Sequence, residues 1–136
     1  MKGIHIIAIA ALLGLLPQSS AGKGEEVVLI PDAGGVQRVT MIVDSHFYKP
    51  DRLVVRLGSP VEVTLVSQTV LTPHNFVIKE PVAGIDVNQD VPAGETVKVR
   101  FTPTQAGVYP FYCDKKLLFF KSHRDKGMEG SLQVQK

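Results

Sequence analysis

Val61-Glu62-Val63-Thr64-Leu65-Val66-Ser67 and Thr96-Val97-Lys98-Val99-Arg100-Phe101-Thr102 decide the architecture of this chain. In the first, Val61, Val63 and Leu65 alternate with Glu62 and Thr64; in the second, Val97, Val99 and Phe101 alternate with Lys98 and Arg100. A period of two sends successive side chains to opposite faces, so each stretch reads as a strand with one buried face. Segments of the same kind recur outward from these two, at 38–43, 52–57, 75–79, 108–113 and 131–135. Turn chemistry separates them at Lys49-Pro50-Asp51, Gly58-Ser59-Pro60, Pro92-Ala93-Gly94 and Gln105-Ala106-Gly107. The run 81–91 breaks the alternation and reads as a loop with at most a short helical turn. About seven to eight strands at this spacing predict an all-β fold, a Greek-key antiparallel β-sandwich.

Residues 1–21 have the layout of a secretory signal peptide: one charge at Lys2, an apolar run from Ile4 to Leu16, and a small-residue boundary at Ser19-Ser20-Ala21. The run is shorter than the roughly 20 residues of a comfortable membrane span, so cleavage after Ala21 is expected, with an uncleaved anchor as the alternative. What remains, 22–136, is long enough for one domain and hardly for two. It carries 14 Lys and Arg against 13 Asp and Glu. That balance lacks the basic excess of a nucleic-acid binder.

The chain has a single cysteine, Cys113, so no internal disulfide can form. In an exported protein a free exposed thiol is open to oxidation, and Cys113 is therefore either inert in the core or ligated. His123 and Met128 follow it in a glycine-containing loop, and His74 stands upstream in Thr72-Pro73-His74-Asn75-Phe76. A thiolate, two imidazoles and a thioether are a ligand set that favours copper in both oxidation states: the sulfurs stabilise Cu(I) and imidazole accepts either. Residues 52–57 and 61–67 read as a hairpin turning at Gly58-Ser59, which places Pro50 and 68–73 at the opposite end. His74 opens the next strand at that end, and Cys113 joins it if its strand runs toward the same rim.

The motifs resemble those of the cupredoxins, the small blue copper proteins. Tyr48-Lys49-Pro50 resembles their aromatic-x-Pro before a strand, Gly58 their turn glycine, and Pro73-His74-Asn75-Phe76 their first ligand motif. Pro92-Ala93-Gly94-Glu95-Thr96, Phe101-Thr102-Pro103, the run 107–113 ending at Cys113, and Gly127-Met128-Glu129-Gly130 complete the likeness. The resemblance implies one copper ion per chain, cycling between Cu(I) and Cu(II), held by His74, Cys113 and His123 with Met128 as a weak axial ligand. It also implies that Asn75 ties the ligand loops together, although Asp114 stands where many members have Ser or Thr.

Nine residues separate Cys113 from His123, against two in short-loop members and four in others. The excess includes Lys115, Lys116, Leu117, Leu118, Phe119, Phe120 and Lys121. Its apolar residues either cover the core beside the metal or form a docking surface, with the basic residues from Lys115 to Lys126 as a rim for an acidic redox partner. His46, two residues before Tyr48, is an additional ligand or gate, or else an ordinary strand histidine. Met41 is a strand methionine, and His5 departs with the signal peptide.

A periplasmic one-electron carrier fits these features best. A bridging two-copper site needs two cysteines and a second catalytic copper needs more histidines, so enzyme activity is not expected. The alternatives are a copper tolerance or delivery protein and an accessory copper domain of a larger respiratory or nitrogen-oxide complex.

Overall fold

Where apolar and polar residues alternate, the chain forms strands, and ten of them among the described residues stack into two sheets. The computed structural model describes residues 24–136; the expected signal segment 1–21 lies outside the described residues. The strands are β1 (Glu26–Val28), β2 (Gln37–Asp44), β3 (Phe47–Lys49), β4 (Arg52–Arg56) and β5 (Val61–Ser67). They continue with β6 (His74–Glu80), β7 (Ile85–Val91), β8 (Thr96–Phe101), β9 (Gly107–Tyr112) and β10 (Glu129–Gln135). One sheet has the order β1-β4-β10-β9-β6-β7 and the other β3-β2-β5-β8. Short 3-10 turns at Pro81–Ala83 and Arg124–Lys126 are the helical elements among the described residues.

The core lies between the sheets. Met41, Val43, Val61, Val63 and Leu65 of the smaller sheet are buried, as are Leu53, Val55, Phe76, Ile78, Phe111, Leu132 and Val134 of the larger. Toward one end, Tyr48, Phe76 and Phe111 meet with ring centroids 5.2–5.8 Å apart, and the Tyr48 hydroxyl donates to the Asn75 carbonyl at 2.5 Å. Glu62 on the outer face of β5 is only 8 % exposed because Arg38, Lys98 and Arg100 close over its carboxylate.

All seven segments read as strands are strands, and the sandwich is the one expected. Three features differ. The run 81–91 contains β7, in which Ile85, Val87 and Val91 are buried while Asp86, Asn88 and Asp90 face solvent. Its alternation is carried by Asp and Asn, residues poor in strand propensity, and pairing with β6 over seven residues overrides that weakness. Next, β4 and β5 lie in different sheets, so the turn at Gly58-Ser59 is an arch across the sandwich and not a hairpin. Reversal of the chain across the core still sends residues 50 and 68–73 to the same end. Finally, the sheets are mixed: β1–β4, β4–β10 and β2–β5 pair in parallel. Pairing between strands whose connection crosses to the other sheet leaves no local signal in the sequence.

These directions gather four segments at one end. The β2–β3 turn at Ser45-His46, the 68–73 loop, the start of β6 and the β9–β10 connection 113–128 all meet there.

Candidate metal centre

His74 is the first residue of β6 and is fully buried. Cys113 directly follows β9, which runs antiparallel to β6 with Val77 opposite Tyr112, so the thiol arrives beside the start of β6. There the Asn75 N–H donates to Cys113 Sγ at 3.4 Å. His123, 9 % exposed, caps the 3-10 turn Arg124–Lys126, and Met128 is fully buried immediately before β10.

Backbone hydrogen bonds fold the β9–β10 connection into a tight knot. Cys113 N donates to Met128 O (3.1 Å), Met128 N to His123 O (3.0 Å) and Arg124 N to Cys113 O (2.8 Å). His123 N donates to Lys115 O at 2.8 Å, which closes the base of the excursion formed by residues 116–122. Of the nine residues between cysteine and histidine, Asp114 and Lys115 lie on the site's side of this closure, and Ser122 is tied to the turn after His123 through its bonds with Asp125 and Lys126 N.

Three ligand-type atoms converge. His74 Nδ1 and His123 Nδ1 are 3.1 Å apart, and Cys113 Sγ lies 3.4 Å from His123 Nδ1 and 3.8 Å from His74 Nδ1. The three residues form a buried group whose ligand atoms all lie within 4.8 Å of one another. Met128 is bound through its backbone to both Cys113 and His123, which places it in the same knot.

The electrostatics suit a cation. Burial, reinforced by the charges of His123 and His46, pushes the His74 pKa down to about 4. Burial, then His46 and Lys126, also lowers that of His123, so both rings are neutral at pH 7 and keep a free lone pair. Burial raises the Cys113 thiol against the lowering effect of the Asn75 and Lys115 backbone bonds. A soft cation at the point of convergence would supply the missing positive charge and hold the thiolate. The residues present therefore fit a copper ion.

Asn75 is hydrogen-bonded to the residue that follows Cys113. Its side-chain N–H donates to Asp114 Oδ1 at 2.7 Å, and Asp114 N–H donates back to Asn75 Oδ1 at 3.1 Å. A carboxylate thus takes the place of the hydroxyl common in the resembling proteins. His46 is not a strand histidine: it sits in the β2–β3 turn with a positive φ of 62°, and its ring stands edge-on to His123 with centroids 4.8 Å apart. Leu117, Leu118, Phe119 and Phe120 do not cover the core, being 54–87 % exposed. Two residues of this end went unremarked in the sequence, Val70 and Leu71, each 87 % exposed. Their signal was an apolar pair inside the turn-rich Gln68-Thr69-Val70-Leu71-Thr72-Pro73.

A two-sheet sandwich with this buried His–Cys–His group defines a class, and comparison with known proteins names it. The sequence profile of the Cupredoxin-like domain matches residues 5–128, and the chain belongs to that family. The metal-binding domain of the Streptococcus pneumoniae Cu(I)-exporting P-type ATPase CopA, solved with Cu(I), is similar over 85 % of this chain and 100 % of its own, with 22 % identity and TM-score 0.62. A dithionite-reduced auracyanin from Roseiflexus castenholzii is similar over 73 % of this chain and 97 % of its own, with 19 % identity and TM-score 0.57. The periplasmic domain of cytochrome oxidase subunit II from Bradyrhizobium japonicum gives 73 % and 83 % coverage, 14 % identity and TM-score 0.55. At these identities the likeness is one of fold. No curated protein sequence matches the chain.

Proposed function

We propose that the chain is an exported mononuclear copper protein that carries single electrons between redox partners. The observation that supports this reading most directly is the convergence of His74 Nδ1, His123 Nδ1 and Cys113 Sγ in a buried group. In this reading those three atoms hold the ion and the Met128 thioether supplies the weak axial contact. Bound copper would supply reversible one-electron chemistry between Cu(I) and Cu(II).

The protein's part is to keep that chemistry cheap in reorganisation. His74 is fixed by β6, Cys113 by the Asn75 N–H and the end of β9, and His123 and Met128 by the backbone knot. A site held from both sheet and loop changes little between oxidation states, which favours electron transfer. Burial excludes water from His74, Cys113 and Met128, while His123 comes nearest the surface and marks the end where a redox partner approaches. Beyond these ligands, His46 is the one remaining histidine of residues 24–136, so no catalytic role is assigned. The apolar leader-like run 4–16 and the periplasmic location of a neighbour of the same fold support export to the periplasm.

An optical and paramagnetic-resonance spectrum of the copper-loaded domain tests the reading. An intense visible thiolate-to-Cu(II) band and fast, reversible reduction are expected. A colourless Cu(II) complex, or release of copper on each reduction, would exclude the carrier and favour a delivery role.

A further inference from the structure

We propose that the tip of the 116–122 excursion is a membrane-seating element, which places the metal end of the molecule on a bilayer bearing anionic lipid. Residues 117–120 form one tight turn, closed by Phe120 N donating to Leu117 O at 3.0 Å. All four of its residues are apolar, and all are exposed: Leu117 68 %, Leu118 73 %, Phe119 87 % and Phe120 54 %. Leu118 has φ 48°, the left-handed region usually given to Gly or Asn, so the turn keeps a leucine at its tip against a conformational cost.

Cations stand behind the tip. Lys115 and Lys116 precede it and Lys121 follows it. Lys115 is paired with Asp90, whereas Lys116, Lys121 and Lys126 form no ion pair among the described residues. An apolar tip with free lysines on either side is the arrangement of an interfacial anchor: the side chains enter the acyl boundary while the ammonium groups reach lipid phosphates.

A second loop adds to the footprint. Val70 and Leu71 project beside it, and Leu71 and Leu117 both line a cleft of about 330 Å³ next to His123. That loop is not slack, since the Thr69 hydroxyl contacts Ser67 Oγ at 3.0 Å and donates to Thr72 O at 2.6 Å. The path of the chain agrees with this orientation. β1 runs parallel to β4 and β10 and away from the metal end, so Glu26 enters the sheet at the end that would face the bilayer.

An acidic protein is the competing occupant. A protein interface buries its apolar residues at the centre of a patch with a polar rim. Here the apolar residues occupy the tip of a projecting turn and the charges lie behind them, which suits a soft partner that the tip can enter.

Flotation of the 22–136 domain, which contains all ten strands, with vesicles tests the proposal in copper-loaded and copper-free forms alike, independently of the electron-carrier reading. The vesicles are phosphatidylcholine with about one third phosphatidylglycerol, or phosphatidylcholine alone. The domain is expected to float with the anionic vesicles at low salt. Phe119→Asp should weaken binding at least about tenfold, since a buried aromatic is exchanged for a charge. Lys116→Glu with Lys121→Glu should weaken it by about fivefold or more per lysine and remove the preference for phosphatidylglycerol. Val108→Asp, on β9 away from the metal end and also exposed, should bind as wild type. Thermal unfolding of each variant checks that the fold persists. Failure of the unmodified domain to float at low salt would overturn the proposal, as would equal binding by Phe119→Asp and Val108→Asp. If Phe119→Asp slowed reduction by a soluble partner while vesicle binding was absent, the tip would belong to a protein interface instead.

Discussion

The metal end is built from two unlike halves. The β6 half holds His74 and Asn75 in a strand with neighbours on both sides, packed over Phe76 and Phe111 and fixed by the Tyr48 hydroxyl on the Asn75 carbonyl. The loop half holds Cys113, His123 and Met128 without a sheet ladder, through eight backbone hydrogen bonds among residues 113–128. The first obtains its rigidity from the core, the second from self-closure. The difference teaches where length can be added: a strand cannot take seven extra residues without losing its register, but a loop closed at Lys115 and His123 can extrude them.

The sharpest way to break the junction between the halves is Cys113→Ser. The serine variant should lose the intense visible band altogether, because a hydroxyl cannot replace thiolate-to-Cu(II) charge transfer. Retention of a strong blue or green band in the absorption spectrum would show that the cysteine is not a ligand.

Asn75→Ala tests the hydrogen bonds that join the halves. Asn75 is 3 % exposed and exchanges two bonds with the exposed Asp114, so its loss removes both of these links between the halves and leaves the buried end of the amide's site unfilled. A loss of about 1–3 kcal/mol in denaturant unfolding is expected. An unchanged midpoint would mean that water replaces the amide at no cost and that the loop half stands without it.

Much of this organisation was legible in the sequence, and the parts that were not share a physical cause. The alternation in residues 61–67 and 96–101 gave buried faces directly, because a period of two is local information. The candidate ligand residues stood out because their chemistry is rare: one cysteine, and few histidines, in an otherwise ordinary domain. β7 was hidden by Asp86, Asn88 and Asp90, whose weak strand propensity is offset only by β6, a tertiary partner. The sheet assignment of β4 and β5 was hidden because a short Gly-Ser turn serves a hairpin and an arch equally well. The closure of Lys115 on His123 involves backbone atoms alone, which carry no residue signature.

A smaller effect is expected from acid on the metal-free protein. The unfolded chain protonates His74 near pH 6.5, whereas the folded chain holds it neutral until about pH 4. Between those values the unfolded state binds more protons, so stability falls as pH falls from about 6.5 to about 4, with no further loss from this group below that. Urea unfolding at a series of pH values measures the slope, and His74→Asn should reduce it. A flat profile in the unmodified protein would mean that water reaches the His74 ring, contrary to its burial.

The smallest effect is expected where the sequence looks most unusual. Excision of residues 116–122 leaves Cys113-Asp114-Lys115 joined directly to His123. These are the residues whose backbones already meet, Lys115 O accepting from His123 N at 2.8 Å. Because the base is closed in the intact protein, the cut should leave the bonds from Cys113 to Met128 and from Arg124 to Cys113 in place, and the copper spectrum should be nearly unchanged. Stability should shift by no more than about 1 kcal/mol, since shortening a flexible excursion changes loop-closure entropy only logarithmically. The excised segment's four apolar residues are exposed, and the bonds it gives up, from Ser122 to Asp125 and Lys126 N, are solvent-facing ones outside the Cys113–Met128 closure. If the shortened protein instead lost its visible band, the excursion would be part of the metal framework, and the two halves would not be as separable as their hydrogen bonding indicates.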